Sequence, residues 1–389
     1  MKSSKKNKDA FNDPTIKVPF ILPHITNEDR KSVYDALNSS LLTDGPKLRK
    51  FEALFAEFTR SKYALGVSNG TSALHLSLKA LGVGKGDEVI IPDLTFIATA
   101  SAVLLTGATP VLADVNKDDF NILSNSIKNN ITAKTKVILP VHFAGNICNM
   151  TEIKKIARKY NLFIIEDCAH AIGAKKEDKH VGTFGDIGCF SFYPTKNFTT
   201  IEGGMIITNS RKIANYVRSA RNHGITKSLQ QRFTSGKPWD YNVFEAGYNY
   251  RLDEIRSALG ISQLKRIKKM NLQRKRAFKY YNSKFRNVKG VVSPSLPTNE
   301  EHAYHLYILK IQKKYGISRD NLFQKLLRNG IRSSVHYKPL HKFSIIKKLA
   351  KKYDSLQNSK EVFKEIISLP LYPQISKLDQ DKVIHHIKN

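Results

Sequence analysis

Carboxylates are scarce in this chain of 389 residues: Asp and Glu number 33 against 64 Lys and Arg, a formal net charge of +31. A field of that sign attracts anions such as nucleic acid, anionic lipid or a nucleotide-bearing substrate. Yet no zinc-finger spacing, helix-turn-helix or RNA-binding signature with interleaved aromatics accompanies the charge, so no specific nucleic-acid partner is expected. Runs such as Lys265-Arg266-Ile267-Lys268-Lys269 read as solvated helix surface. Cysteine is also rare. Cys148, Cys168 and Cys189 are too few and too scattered for a disulfide framework or a zinc site, which suits a reducing cytoplasm. One stretch, 94–113, lacks charge altogether, but its threonines, Gly107 and Pro110 divide it into a helix, a turn and a strand of a core, and no membrane span is expected. Walker A and GxGxxG loops are missing, which excludes both nucleotide-loop readings. No internal repeat or low-complexity tract occurs, and residues 1–17 form a polar, basic segment expected to be a flexible arm and no secretory signal.

What is present is an ordinary globular composition, 41% hydrophobic and 10% aromatic, in a chain long enough for a large core and more than one domain. Short β-branched runs at 88–91, 110–113, 137–140, 162–165, 188–192 and 205–207 alternate with helical stretches. That pattern predicts an α/β fold with a mainly parallel sheet covered by helices on both faces. The strongly helical 252–285 then links a large domain, 18–270, to a smaller C-terminal α+β domain, 271–389, with the segment before about residue 52 packing across both.

Three segments carry chemistry. Cys189-Phe190-Ser191-Phe192-Tyr193-Pro194-Thr195-Lys196-Asn197 leads to Glu202-Gly203-Gly204. Among apolar neighbours Lys196 would be desolvated, and a neutral amine condenses with a carbonyl, giving a Schiff-base lysine; the fragment alone also reads as one more solvated lysine. Upstream, the apolar strand at 162–165 delivers Glu166-Asp167-Cys168-Ala169-His170 at its carboxyl end, where open α/β sheets bind ligands. Asp167 there can keep a pyridine nitrogen protonated, and His170 lies within reach of the same group. An Asp167–His170 metal pair is the rival reading, but no third ligand stands at a convincing spacing. The third segment, Val67-Ser68-Asn69-Gly70-Thr71-Ser72-Ala73-Leu74, opens a helix. Unpaired amides with the Thr71 and Ser72 hydroxyls suit a phosphate, although an ordinary N-cap has the same composition.

A phosphate cup, a strand-end acid and a lysine in that chain order fit pyridoxal phosphate, and over nearly its whole length the chain resembles the DegT-type sugar aminotransferases among the fold-type I pyridoxal-phosphate enzymes. The resemblance implies a seven-stranded sheet in the large domain, pyridoxal 5′-phosphate as cofactor, glutamate as amino donor, a nucleotide-linked keto-sugar as acceptor, and a homodimer with shared active sites. It implies that Gly70, Thr71, Ser72 and Ser191 hold the phosphate, Phe96 stacks on the ring, Asp167 meets the ring nitrogen, His170 lies near the ring hydroxyl, Lys196 carries the cofactor, and Asn249 reaches the phosphate of the neighbouring subunit. His336 and Tyr337 resemble a segment that approaches the sugar nucleotide, and Arg221 with His223 lies in another family segment. Ile201 departs from the pattern, since many relatives have glycine before the Glu-Gly-Gly. A dehydratase branch of the family replaces the lysine with histidine; Lys196 is retained here, which favours amino transfer. A non-catalytic, basic nucleic-acid-binding protein on the same fold is favoured by charge alone.

Overall fold

The structure is a computed structural model that describes residues 15–227, 229–234, 236–243, 245–295 and 300–389. Most of the 1–17 arm therefore lies outside the described residues. The central sheet has seven strands: β1 (Tyr63–Val67), β2 (Glu88–Pro92), β3 (Thr109–Ala113), β4 (Thr135–Ile138), β5 (Phe163–Asp167), β6 (Ile187–Ser191) and β7 (Gly204–Thr208), in the order β1-β7-β6-β5-β4-β2-β3. All pairs among β2 to β6 are parallel, and β7 runs antiparallel between β6 and β1. The fold is that of the fold-type I pyridoxal-phosphate enzymes, as the sequence led us to expect.

Strand periodicity sorts the apolar residues into two cores. Ile90, Val111, Ile138, Ile164 and Phe190 point to one face, where they meet Ile153 and Ile156 of the helix Met150–Tyr160. Val89, Leu112, Val137, Ile165 and Cys189 point to the other, against α1 (Gly70–Ala80), α2 (Ile97–Leu105) and α3 (Arg211–Ala220). The strands are buried on both faces because parallel crossovers place helices there, which is why they read as continuous apolar runs without alternation.

A second sheet, β8 (Val291–Val292), β9 (Tyr307–Ile311) and β10 (Ile366–Leu369), is antiparallel and has its own core with Phe278, Tyr281 and Phe285 from α4 (Ile267–Phe285). Helix α4 runs unbroken through position 270. Val18 packs into this smaller core while Leu48 and Phe51 pack into the larger one, so the N-terminal stretch touches both. The uncharged stretch 94–113 forms α2, a turn at Gly107 with φ 82°, and β3. Among the described residues no helix is long and apolar enough to cross a membrane.

Candidate active site

A cavity of about 550 Å³ opens at the carboxyl ends of the sheet strands, between the starts of α1 and α2, the loop after β6 and the 336–337 segment. Its first wall is the start of α1. Asn69 is the N-cap: its Oδ1 accepts the Ser72 N–H at 2.8 Å, and Ser72 Oγ accepts the Asn69 N–H at 3.1 Å. This capping box uses up Ser72, whose buried side chain does not line the cavity, and leaves the Gly70 and Thr71 amides without helix partners. Gly70 is required by contact: a Cβ there would stand 2.8 Å from the Cβ of Ser191, which brings its own hydroxyl to the same corner.

Asp167, the last residue of β5, forms the floor. Its Oδ1 accepts the Ala169 N–H at 3.0 Å and its Oδ2 accepts from Thr99 Oγ1 at 3.3 Å. Burial raises its pKa, partly offset by that backbone bond and by the positive field of Lys196. Phe96, the N-cap of α2, is 55% exposed and turns its ring into the cavity, 5.8 Å from Tyr337.

Lys196 is half-buried on the loop after β6, and burial lowers its pKa from 10.5 to about 8, against the opposing pull of Asp167. Among the described residues nothing hydrogen-bonds its Nζ. The loop itself is held rigidly: Phe192 and Phe198 stack at 4.7 Å, and Asn197 Nδ2 donates to Asn271 Oδ1 at 2.7 Å and to the Ala303 carbonyl at 2.6 Å. The lysine is thus a free, weakened base on a fixed support.

His170 lines the cavity beside Tyr337. Its Nδ1 accepts the Ala144 N–H at 3.4 Å, which assigns the proton to Nε2, 3.0 Å from Tyr337 Oη. Burial first, then Lys196 and His336, hold His170 well below its ordinary pKa, so it is a neutral donor. Tyr337, with its pKa raised by burial, is left with its own proton to give into the cavity. His336 also lines the cavity; its Nδ1 lies 2.8 Å from Ser368 Oγ, and burial and Lys196 lower its pKa to about 3.

The fold therefore gathers Gly70, Thr71, Phe96, Asp167, His170, Ser191, Lys196, His336 and Tyr337 around one space. Asn249 is exposed outside it, bridging Asn222. Arg221 is buried elsewhere, 2.5 Å from Glu52 and 2.7 Å from the Gly66 carbonyl, and His223 does not line the cavity either. Sequence reasoning missed Thr95, Thr99 and Glu202 as cavity residues; the spacing of the two threonines, four apart at a helix start, was the available signal.

The donor set suits a phosphorylated pyridine aldehyde. Free amides and two hydroxyls form a cradle that a Cβ at position 70 would fill, an acid stands on the floor, an aromatic ring forms a wall, and a desolvated amine faces them. One residue from Asp167, His142, Glu166 and Cys168 bring possible metal-ligand atoms within 4.8 Å of one another. Both His142 nitrogens and both Glu166 oxygens are already engaged by protein groups.

Residues 23–388 match the sequence profile described as the DegT/DnrJ/EryC1/StrS aminotransferase family. The spore coat polysaccharide biosynthesis protein SpsC of Bacillus subtilis is 38% identical over 375 residues, 96% of each chain. PseC of Helicobacter pylori, an aminotransferase involved in the biosynthesis of pseudoaminic acid, superposes with a TM-score of 0.88 at 30% identity, over 95% of this chain and 98% of that one. Spr1654 of Streptococcus pneumoniae in its PMP form gives 0.89 at 30% identity, with the same coverage.

Proposed function

The chain belongs to the DegT/DnrJ/EryC1/StrS aminotransferase family of pyridoxal-phosphate-dependent sugar aminotransferases, and from that premise we propose that it moves the amino group of glutamate onto a nucleotide-linked keto-sugar. The observation that carries the reading is the pairing of Lys196 with Asp167 across one cavity: an amine made a weak base by burial facing a carboxylate whose charge that amine supports. The keto-sugar acceptor is supported by the kinship with SpsC and PseC, and a nucleotide diphosphate suits the cationic surface.

Gly70, Thr71 and Ser191 would hold the cofactor phosphate, Phe96 would cover the ring, and Asp167 would meet its protonated nitrogen. Bound there, pyridoxal phosphate supplies a ring that accepts the electron pair of a bond broken beside its nitrogen. Lys196 Nζ, neutral in a large fraction of molecules near pH 8, would take the proton from the donor α-carbon and hold it for return, and would move a proton in the opposite sense at the sugar carbon. His170 gives its Nε2 proton to Tyr337 Oη and so fixes that hydroxyl, which leaves the Tyr337 proton to hold the ring oxygen or an entering hydroxyl. The 18–270 part supplies the pocket, and the 271–389 part, through His336 and Tyr337, supplies its outer wall. In the homodimer this reading calls for, Asn249, exposed in the single chain, would reach the phosphate site of the second copy. Three buried free thiols suit a reducing cytoplasm.

The test is chemical. Borohydride reduction of the holoenzyme followed by peptide mapping should place the cofactor on Lys196, and glutamate should bleach the visible band before reduction. A label on another lysine, or a band that never responds to glutamate, overturns the reading.

A further inference from the structure

Two hydroxyls with no part in those steps stand behind Asp167. Thr95 and Thr99 are both buried and flank Phe96 at the entrance to α2, with their oxygens 3.0 Å apart. Thr99 Oγ1 lies 3.3 Å from Asp167 Oδ2, and its backbone N–H donates to the Phe96 carbonyl at 3.2 Å. One short segment therefore carries the ring-covering aromatic and the hydroxyls that reach the floor.

A hydroxyl has one proton to give. When Thr99 gives its proton to the carboxylate, its oxygen must accept from Thr95, so the three groups line up in one direction: Thr95 to Thr99 to Asp167. The other carboxylate oxygen takes the Ala169 amide. A proton on Oδ2 directed at Thr99 would reverse the line and send the Thr95 proton in search of another acceptor, and a proton elsewhere on the carboxyl would leave Thr99 an uncharged, weaker acceptor. Burial favours the neutral acid, and the relay opposes it.

Resting on the reading of Asp167 as the acid of the ring nitrogen, we propose that Thr95 and Thr99 are positioning residues, a two-hydroxyl relay that fixes the Asp167 carboxylate in rotation and keeps it an acceptor toward a protonated ring. The other titratable groups facing Asp167 are Lys196 from the loop after β6, His142 from the loop after β4, Tyr337 from the C-terminal part, and the buried thiols of Cys148, Cys168 and Cys189. Lys196 favours its anion through space, whereas Thr99 acts on it by direct contact.

Three variants test the relay: Thr99→Val, Thr99→Ser and Thr95→Val. The readouts are the dissociation constant of pyridoxal phosphate from visible titration of the apoprotein, and the pH profile of kcat. Loss of one hydrogen bond to a charged group predicts that Thr99→Val weakens cofactor binding about tenfold, lowers kcat about tenfold and moves the acid limb of the profile to higher pH. Thr99→Ser should stay within about twofold of the parent, and Thr95→Val should shift each quantity the same way by about threefold. An acid limb and cofactor affinity unchanged in Thr99→Val overturn the relay, as does equal damage in Thr99→Ser, which would assign the effect to methyl packing. Asp167→Asn separates the two levels. If it leaves kcat intact, the reading of Asp167 fails and the relay with it; if it abolishes turnover while Thr99→Val is silent, the relay alone fails.

Discussion

Glu166 and Asp167 are neighbours on one strand, both buried, and they face opposite sides of the sheet. Glu166 shares the side of Ile164, and its two oxygens are satisfied by protein alone: the His142 Nε2 proton at 2.9 Å, the Gly182 N–H at 2.8 Å and the Gly185 N–H at 2.6 Å. The Cys148 N–H donates to His142 Nδ1 at 3.1 Å, which fixes the tautomer that donates to Glu166. Even the glycines serve this arrangement, since a Cβ on Gly188 would lie 2.4 Å from the Cα of Gly182 and push its amide away. Asp167 shares the side of Ile165, has two donors among the described residues, and looks into a cavity. A saturated buried carboxylate holds a fold together; an undersaturated one, kept on an open floor, waits for a cation. The pair teaches that burial and residue type do not distinguish the two roles, whereas the count of donors does.

The largest effects should come from exchanging the two carboxylates for their amides. Asp167→Asn should lower kcat by roughly 10³-fold, the scale of removing a preorganised charge from a reacting centre. Apoprotein stability should not fall. Because burial raises the Asp167 pKa, the stability this group contributes is present below its unfolded pKa and is lost as pH rises through the folded value, so at neutral pH the amide should be neutral or mildly stabilising. Glu166→Gln should do the reverse: an NH₂ set against N–H donors costs about 3 kcal/mol of stability, read as a fall in urea midpoint. Loss of stability in the first and of turnover alone in the second would erase the distinction.

On the cavity side, Gly70→Ala forces a Cβ against Ser191 and should cost about 2 kcal/mol by overpacking, while weakening cofactor binding. Adding Ser191→Gly should restore the apoprotein melting temperature and leave the cofactor affinity impaired, because the space returns but a phosphate donor does not. Lys196 supplies a pH test. Its folded pKa of about 8 lies below the unfolded 10.5, so the unfolded chain binds more protons between those values, and stability rises with pH across that window. Apo Lys196→Met should therefore be more stable than the parent at pH 7, by about 1 kcal/mol after allowing for partial exposure, with the gap closing by pH 10 to 11. A gap that widens with pH would show that the amine is not desolvated.

Much of this contrast was legible in the sequence, and the reasons are local. The apolar strand before Asp167 and the Gly-Thr-Ser helix start are short-range patterns, and each placed its residues at a strand end or helix end where the sheet's right-handed connections bring them together. Other features depended on partners far along the chain. Strand β1 escaped attention because Tyr63-Ala64-Leu65-Gly66-Val67 has small residues and becomes a strand by pairing with β7, some 140 positions later. Ser72 reads as a phosphate ligand in sequence, and in the fold its hydroxyl and amide are tied to Asn69 in the capping box. Thr95 and Thr99 looked like polar relief in an uncharged run, and their meaning appears with Asp167, 68 positions away. The sheet β8-β9-β10 is assembled from strands of two to five residues, with the helices Arg319–Arg328, Ser344–Leu349 and Gln357–Glu365 between β9 and β10, and each strand is too brief to carry a period.

The smallest expected effect lies at Ile201. It has φ 71°, in the left-handed region where a β-branched residue is strained, and its side chain is 59% exposed beside Glu202 at the cavity mouth. Its N–H is tied to Thr199 Oγ1 at 2.8 Å and Thr200 Oγ1 is tied to the Glu202 carbonyl at 2.8 Å, so neighbours impose the conformation. Ile201→Gly removes the strain but adds freedom to the unfolded chain, and the two oppose each other, leaving a net gain of about 0.5 to 1 kcal/mol. The strain sits on the functional side of the sheet, where the fold holds an exposed branched side chain in an unfavourable backbone state; among the described residues no such residue flanks Glu166. A lower denaturation midpoint in Ile201→Gly would mean that the backbone at 201 is relaxed, and that the difference between the two sides is one of hydrogen bonding alone.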